Sequence, residues 1–277
     1  MMRSLLVSLC LFASVRAASA QVVPMYGVTI DDPWNPPPIV DALASLPQQM
    51  TARVVFDPQV RAKQYVPLVQ QIGTAATVLG ELVDSSAMRG MTLTQFRSRT
   101  DAYYGALGGL VNIWEICNEC NGEWLGTTDS VVAKMSYAYD EAAARGFRTA
   151  LTLYYNQDCW SKPSHEMFRW TIANVPDRMK QKVDYVFISY YEDDCNGLQP
   201  DWGPIYARLG QIFPNSLIGF GEVGTKYADR KAAYVNRYYQ MTVNHPRYVG
   251  GYFWWYFAED MVAKSKPLWS TLAEAIR

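Results

Sequence analysis

Apolar positions along the chain fall into short β-rich runs separated by longer runs of helical period. The strand-like runs are Pro24–Asp31, Thr51–Asp57, Ala75–Leu82, Gly109–Glu119, Arg148–Tyr155, Val183–Tyr191, Ser216–Glu222 and Tyr248–Phe257. Between and after them, helical patterning covers Pro38–Leu46, Pro58–Ile72, Leu93–Leu107, Asp129–Arg145, Ser164–Ala173, Trp202–Ile212, Asp229–Val243 and Leu268–Ile276. Punctuation agrees with the periods. Pro58 suits a first helical turn, Gly146 suits a helix stop, and Val175-Pro176 and Pro214-Asn215 break the chain before the next strand. Regular strand–helix alternation predicts parallel strands. Eight such units predict a single-domain (β/α)8 TIM barrel of ordinary size. An open doubly wound sheet is the alternative. It would carry a Gly-rich turn after the first strand, and Tyr26-Gly27-Val28-Thr29 leading to Asp31-Asp32-Pro33 is not one.

The first twenty residues stand apart. Met1-Met2-Arg3, an apolar run from Leu5 to Val15 and Ala18-Ser19-Ala20 read as a secretory signal peptide cut after Ala20. The run is too short for a permanent membrane anchor, and no later stretch is apolar enough to span a bilayer. Residues 21–277 are then the catalytic domain of a secreted or periplasmic protein. Export makes the cysteines candidates for disulfides. Four remain beyond the leader, Cys117, Cys120, Cys159 and Cys195, so three pairings are open. The expected bond joins Cys159 to Cys195 or to Cys120.

Charge excludes some functions. The chain has 25 Lys and Arg against 26 Asp and Glu, a net charge of −1, with no basic stripe. That balance points away from nucleic acid and anionic membranes as partners. His165 and His245 are the only histidines and fall in or beside helices, which argues against a Ser-His-Asp triad or a His-rich metal site. Cys117-x-x-Cys120 has no second pair to complete a zinc set. No metal and no cofactor is expected. Aromatic residues make up 14% of the chain, which suits a sugar-binding cleft as well as a packed barrel.

In such a barrel the chemistry lies at the C-terminal strand ends. The acids delivered there are Asp31, Asp57, Glu81, Asp84, Glu119, Glu192 and Glu222, with Arg53, Asn118, Tyr154, Tyr155, Asn156, Tyr191 and Trp255 among them. Two inward acids at the ends of strands four and seven are costly unless used. Strict alternation groups Glu119 with Cys117 and Glu115, Glu222 with Phe220 and Ile218, Tyr191 with Ser189 and Phe187, and Trp255 with Phe253. It places Asn118 on the opposite face, so Asn118 reaches the site only through an irregular strand end. Glu115 is better suited to a structural salt bridge, with Arg53 the candidate partner. Asp31, Asp57 and Asp84 read more safely as loop caps. Trp124 either stacks on a sugar or anchors its loop, and Trp160 and Trp202 are weaker versions of the same reading.

Trp114-Glu115-Ile116-Cys117-Asn118-Glu119 ending strand four, with Phe220-Gly221-Glu222-Val223-Gly224 ending strand seven, resembles clan A of the glycoside hydrolases, retaining enzymes on a (β/α)8 barrel. The two glutamates are 103 residues apart, roughly what three βα units occupy. The resemblance implies Glu119 as general acid/base and Glu222 as nucleophile. It implies Asn118 on the hydroxyl next to the anomeric carbon, and Arg53 and Tyr191 on the nucleophile, lowering its pKa. Trp255 becomes the floor under the sugar. Cys117 and Ser189 depart from the Gly and His that many members carry at those places. Retention requires the two carboxyls about 5–5.5 Å apart with their pKa values pushed apart. The implied function is a secreted β-glycoside hydrolase, monomeric, acting on a poly- or oligosaccharide. The alternatives are a glycan-remodelling transglycosylase, which would share every catalytic group, and a non-catalytic carbohydrate-binding barrel.

Overall fold

The computed structural model describes residues 22–157, 159 and 162–277. The expected signal peptide and Trp160 lie outside the described residues. In chain order the elements are β1 Met25–Ile30, α1 Pro36–Ala44, β2 Met50–Val55, α2 Ala62–Ile72, β3 Ala76–Glu81, α3 Ser85–Met88, α4 Leu93–Leu107, β4 Ile113–Cys117, α5 Thr128–Ala144, β5 Arg148–Tyr154, α6 Met167–Asn174, α7 Asp177–Lys182, β6 Tyr185–Tyr190, α8 Trp202–Ile212, β7 Leu217–Val223, α9 Ala228–Tyr239, β8 Tyr248–Trp254, α10 Phe257–Met261 and α11 Pro267–Ala275. The eight strands pair in parallel, each with its sequence neighbour, and β8 closes on β1. This is the (β/α)8 barrel the periodicity predicts.

Several boundaries differ from the pattern. β4 stops at Cys117 rather than Glu119, where the chain bends and Glu119 takes a left-handed conformation (φ 49°) outside the extended region. The fifth helical run ends before Val175-Pro176 as expected, but a short helix that the pattern does not predict, α7, follows Pro176. β8 gives way at Trp254 to the turn that opens α10. Pro58 does not open α2, which starts at Ala62 after a turn, whereas α5 does stop before Gly146, which sits at φ 69°.

Apolar packing lies in two layers. A large cluster fills the space between strands and helices, including Trp114, Ile116, Leu151, Ile188, Ile218 and Phe220. A smaller one fills the lower barrel interior with Leu79, Ile113, Ala150, Tyr185, Phe187, Val249 and Phe253. Above this plug the interior turns polar, with Arg53, Glu81, Glu115 and Glu222 all buried. The plug has tight tolerances. A Cβ on Gly27 would stand 2.5 Å from the ring of Phe253, which is itself held at φ 42°.

Two corrections to simple alternation follow from strand irregularities. The β4–β5 register slips between Glu115 and Cys117, so Cys117 pairs with Leu151 and packs in the outer cluster, not inward. The β6–β7 register slips between Ile188 and Ser189, so Phe220 and Ile218 also pack outward while Glu222 faces the interior. A one-residue slip moves every later side chain to the other face.

Gly27→Ala should destabilise the fold by about 1–3 kcal/mol, because the plug must shift to admit one methyl group. Urea unfolding with an unchanged m-value would check this, and a variant as stable as the parent would show the ring free to move.

Candidate active site

The polar layer is built around one guanidinium. Arg53, projecting from the middle of β2, donates from Nε to Glu115 Oε2 at 2.7 Å and from Nη1 to Glu222 Oε2 at 2.9 Å. Its Nη2 lies 3.0 Å from Glu81 Oε2. Burial disfavours a charged guanidinium, but Glu115, Glu81 and Glu222 overcome this and hold Arg53 well above its ordinary pKa. Glu115 is thus the salt-bridge partner expected, with a further bond from Thr152 Oγ1. Glu81 is a partner that strand-end reasoning placed near the site without a role. It is fully buried, and neither oxygen has a well-directed hydrogen bond. Burial accordingly raises its pKa well above the usual carboxylate value, which favours the neutral acid.

Glu222, near the end of β7, carries the densest set of donors. Tyr191 Oη donates to Oε1 at 2.6 Å, and Asn118 Nδ2 lies 3.4 Å from Oε2, which Arg53 also contacts. Burial still outweighs these bonds: its pKa is raised, with Arg53 and then Tyr191 pulling against the rise. The expected downward pull is therefore present but is not the larger effect. Trp255 stands with its ring 5.6 Å from the Arg53 guanidinium carbon and lines the same cavity as Glu222 and Tyr191.

Glu119 is held differently. Oε1 accepts from Ser189 Oγ at 2.6 Å and Oε2 from Ser85 Oγ at 2.7 Å, with no cation among its hydrogen-bond partners. Burial, then the charge of Glu222, push its carboxyl up to about 8, against the pull of the two hydroxyls. The two acids thus differ in environment. Glu222 faces a guanidinium and ionises first, and the charge on Glu222 then helps Glu119 keep its proton.

Asn118 does reach the site, by the irregularity that alternation required. With Cys117 turned outward, Asn118 turns inward, its Oδ1 accepting from Ser85 N at 3.0 Å. Ser85 is the residue that sequence reasoning missed. It touches Asn118 through its backbone, Glu119 through its hydroxyl, and accepts from Trp124 Nε1 at 3.1 Å. The signal was only its place one residue beyond Asp84, and a serine there carries no distinguishing pattern. Trp124 is anchored, with its N–H tied to Ser85 and its ring edge-on to Tyr154, and 38% of it remains exposed. Trp34, on the loop after β1, is also exposed on this face.

Other candidates resolve as structure. Trp202 is buried among Tyr155, Tyr190 and Phe220, which removes it as a sugar platform. Asp57 and Asp84 accept from the backbone of Gln59 and Ser86, as loop caps. Asp31 is held by the backbone of Asp31 and Asp32, while its Oδ1 is buried without a hydrogen bond. Glu192 pairs with Arg237 and Tyr238. The cysteines form two bonds. Cys159–Cys195 is one of the expected pairings, whereas Cys120 joins Cys117 rather than Cys159.

A cavity of ≈ 240 Å³ opens over Glu222, lined by Tyr191, Asp193, Asp194, Thr225, Lys226, Trp255 and Tyr256. A larger hollow of ≈ 1170 Å³ runs between α2 and α4 on the outer surface and contains none of the strand-end acids.

No protein-family model matches the chain, and no curated protein matches it. Solved structures do. Saccharomyces cerevisiae Gas2p in complex with laminaritriose and laminaritetraose aligns with 92% of this chain at TM-score 0.56 and 15% identity. The same protein with laminaripentaose aligns with 92% at TM-score 0.57 and 14% identity. The likeness is one of fold. In both cases the chain spans 64% of the length of the other.

The pKa of Glu119 sets a stability test. Its carboxyl ionises at about 8 in the folded chain against an ordinary 4.5. Between those values the folded state keeps a proton that the unfolded state has lost. The stabilisation is therefore complete below the lower value and disappears as pH rises through the upper. Glu119→Gln should gain on the parent by roughly 1 kcal/mol per pH unit across this window. Urea unfolding at pH 5 and pH 7 measures it, and a constant difference would mean that Glu119 is ionised throughout.

Proposed function

We propose that this chain is an exported retaining β-glycoside hydrolase, with Glu119 as general acid/base and Glu222 as nucleophile. The observation that carries the reading is the unequal treatment of the two buried acids. Glu222 receives Arg53, Tyr191 and Asn118, whereas Glu119 receives only serine hydroxyls. Cleavage of a glycosidic bond through an oxocarbenium-like transition state needs this inequality. In the first step Glu119 protonates the departing oxygen while ionised Glu222 attacks the anomeric carbon. The glycosyl-enzyme forms, and the Arg53–Glu222 ion pair is relieved as the carboxylate charge moves into the new ester. In the second step Glu119, now ionised, takes a proton from water, and the water displaces Glu222 with net retention.

In this reading Asn118 binds the hydroxyl next to the anomeric carbon and Trp255 lies under the ring, supported by their position beside Glu222 and Arg53. Trp124 and Trp34 offer exposed aromatic faces on either side. The Gas2p structures contain laminari-oligosaccharides, so β-1,3-linked glucose oligomers are the first substrates to offer. Among the described residues no helix is long and apolar enough to cross a membrane. Two disulfides favour an oxidising compartment, and the protein is assigned to the periplasm or the medium as a monomer.

Laminari-oligosaccharides and a panel of aryl β-glycosides, offered to the parent, Glu119→Ala and Glu222→Ala, provide the test. Each substitution should lower turnover by about 10² to 10⁴-fold. Azide should rescue Glu222→Ala with an inverted glycosyl azide as product. The parent's kcat/KM should fall on the alkaline side near the Glu119 pKa of about 8. Sugar binding without turnover in the parent would instead mark a carbohydrate-binding barrel. New, longer glycans among the products would mark a transglycosylase.

A further inference from the structure

The two residues enclosed by the Cys117–Cys120 bond are Asn118 and Glu119. In an extended strand these neighbours would point to opposite faces. Here both point inward, Asn118 to Glu222 and Glu119 to Ser85 and Ser189. The backbone must reverse locally for that to happen, and it does so at Glu119, whose φ of 49° lies in the left-handed region. A glutamate there is strained and persists only where its surroundings impose it.

The crosslink is placed to impose it. The Cα atoms of Cys117 and Cys120 are 5.8 Å apart, whereas three extended residues would separate them by about 10 Å. Both cysteines are buried, 2% and 1% exposed, in the apolar layer behind the barrel. Drawing the two ends together on the outer side leaves the intervening pair to bulge toward the interior. Hydrogen bonds support the same turn: Cys120 N donates to Thr152 O at 3.1 Å and Gly122 N to Glu119 O at 2.7 Å. The other disulfide, Cys159–Cys195, does not enclose either acid, and it ties the loops after β5 and β6.

We propose that the Cys117–Cys120 disulfide is a positioning device that holds the Asn118–Glu119 pair turned into the site, so that acid catalysis by Glu119 depends on it. This rests on the assignment of Glu119 as acid/base. Cys117 and Cys120 touch no reacting atom. Their effect must appear as lost proton donation to the leaving group.

Leaving-group dependence isolates that effect. A 2,4-dinitrophenolate departs without a proton, whereas a phenolate needs one, and kcat/KM reports the step in which either leaves. The comparison uses the 2,4-dinitrophenyl and phenyl β-glycosides of the sugar accepted in the panel above. It is made with the parent, Glu119→Ala, Cys117→Ala/Cys120→Ala and Cys159→Ala/Cys195→Ala. For the 117/120 variant we expect about a 10- to 100-fold loss of kcat/KM on the phenyl glycoside and less than about 3-fold on the dinitrophenyl one. The 159/195 variant should lose equally on both, if at all. Equal losses on both glycosides in the 117/120 variant, or none, would overturn the proposal while leaving Glu119 as the acid if Glu119→Ala still discriminates. Failure of Glu119→Ala to discriminate would overturn the acid/base assignment and the proposal with it. Cys117→Ser/Cys120→Ser provides a second form should the alanine pair not fold. Failure of both to fold would replace the proposal with a general structural role.

Discussion

Arg53 is the charge around which the upper barrel is arranged. One guanidinium, almost wholly buried, meets carboxylates from β3, β4 and β7. Burying any one of these ions alone would cost several kcal/mol. Together they share a single cation and cannot all be ionised without leaving excess negative charge in a medium of low polarity. Protons must make up the difference, and burial decides where they sit. Glu81, without a well-directed hydrogen bond, has the clearest reason to hold one. Glu119, bonded among the described residues to serine hydroxyls and facing the charge of Glu222, is pushed up to about 8, while Arg53 and Tyr191 pull against the rise at Glu222. The unequal environments of the two acids thus grow out of a charge balance that the fold needs in any case.

The barrel below makes that arrangement rigid. The plug of Phe187, Phe253, Tyr185 and Leu79 closes the interior beneath the acids, so water cannot enter from the lower end and weaken the ion pairs. Small departures from regular strands then aim the side chains. The slips in β4 and β7 each sit just before an acid, and Glu119 adds a left-handed turn. Irregularity of this kind is common where strands deliver functional groups, and here it brings Asn118 and Glu119 to the same side.

Much of this was legible from pattern. The eight βα units, the strand ends and the pairing of Arg53 with Glu115 follow from period and from the rule that a buried charge needs a partner, whereas the contact of Arg53 with Glu222 came from the family resemblance. Tyr191 on Glu222 was legible through alternation, because β6 is regular as far as Ser189. Ser85 was not, since its importance is a matter of three contacts and no sequence period distinguishes it from any loop serine. Cys117 and Phe220 were placed on the wrong face, because alternation assumes a register that slips in β4 and β7. Trp202 was misjudged for a different reason: an indole that begins a helix after a strand end looks the same in sequence whether it meets solvent or a cluster of tyrosines.

The sequence by itself determined the architecture and pointed to Glu119 and Glu222, since hydrophobic period acts locally and a carboxylate in an apolar run is conspicuous. Which acid keeps its proton, which face Asn118 takes and which cysteines join were decided only in three dimensions. Those outcomes depend on distances between groups far apart in the chain and on one-residue slips in strand pairing, and neither leaves a mark on the spacing of residues along it.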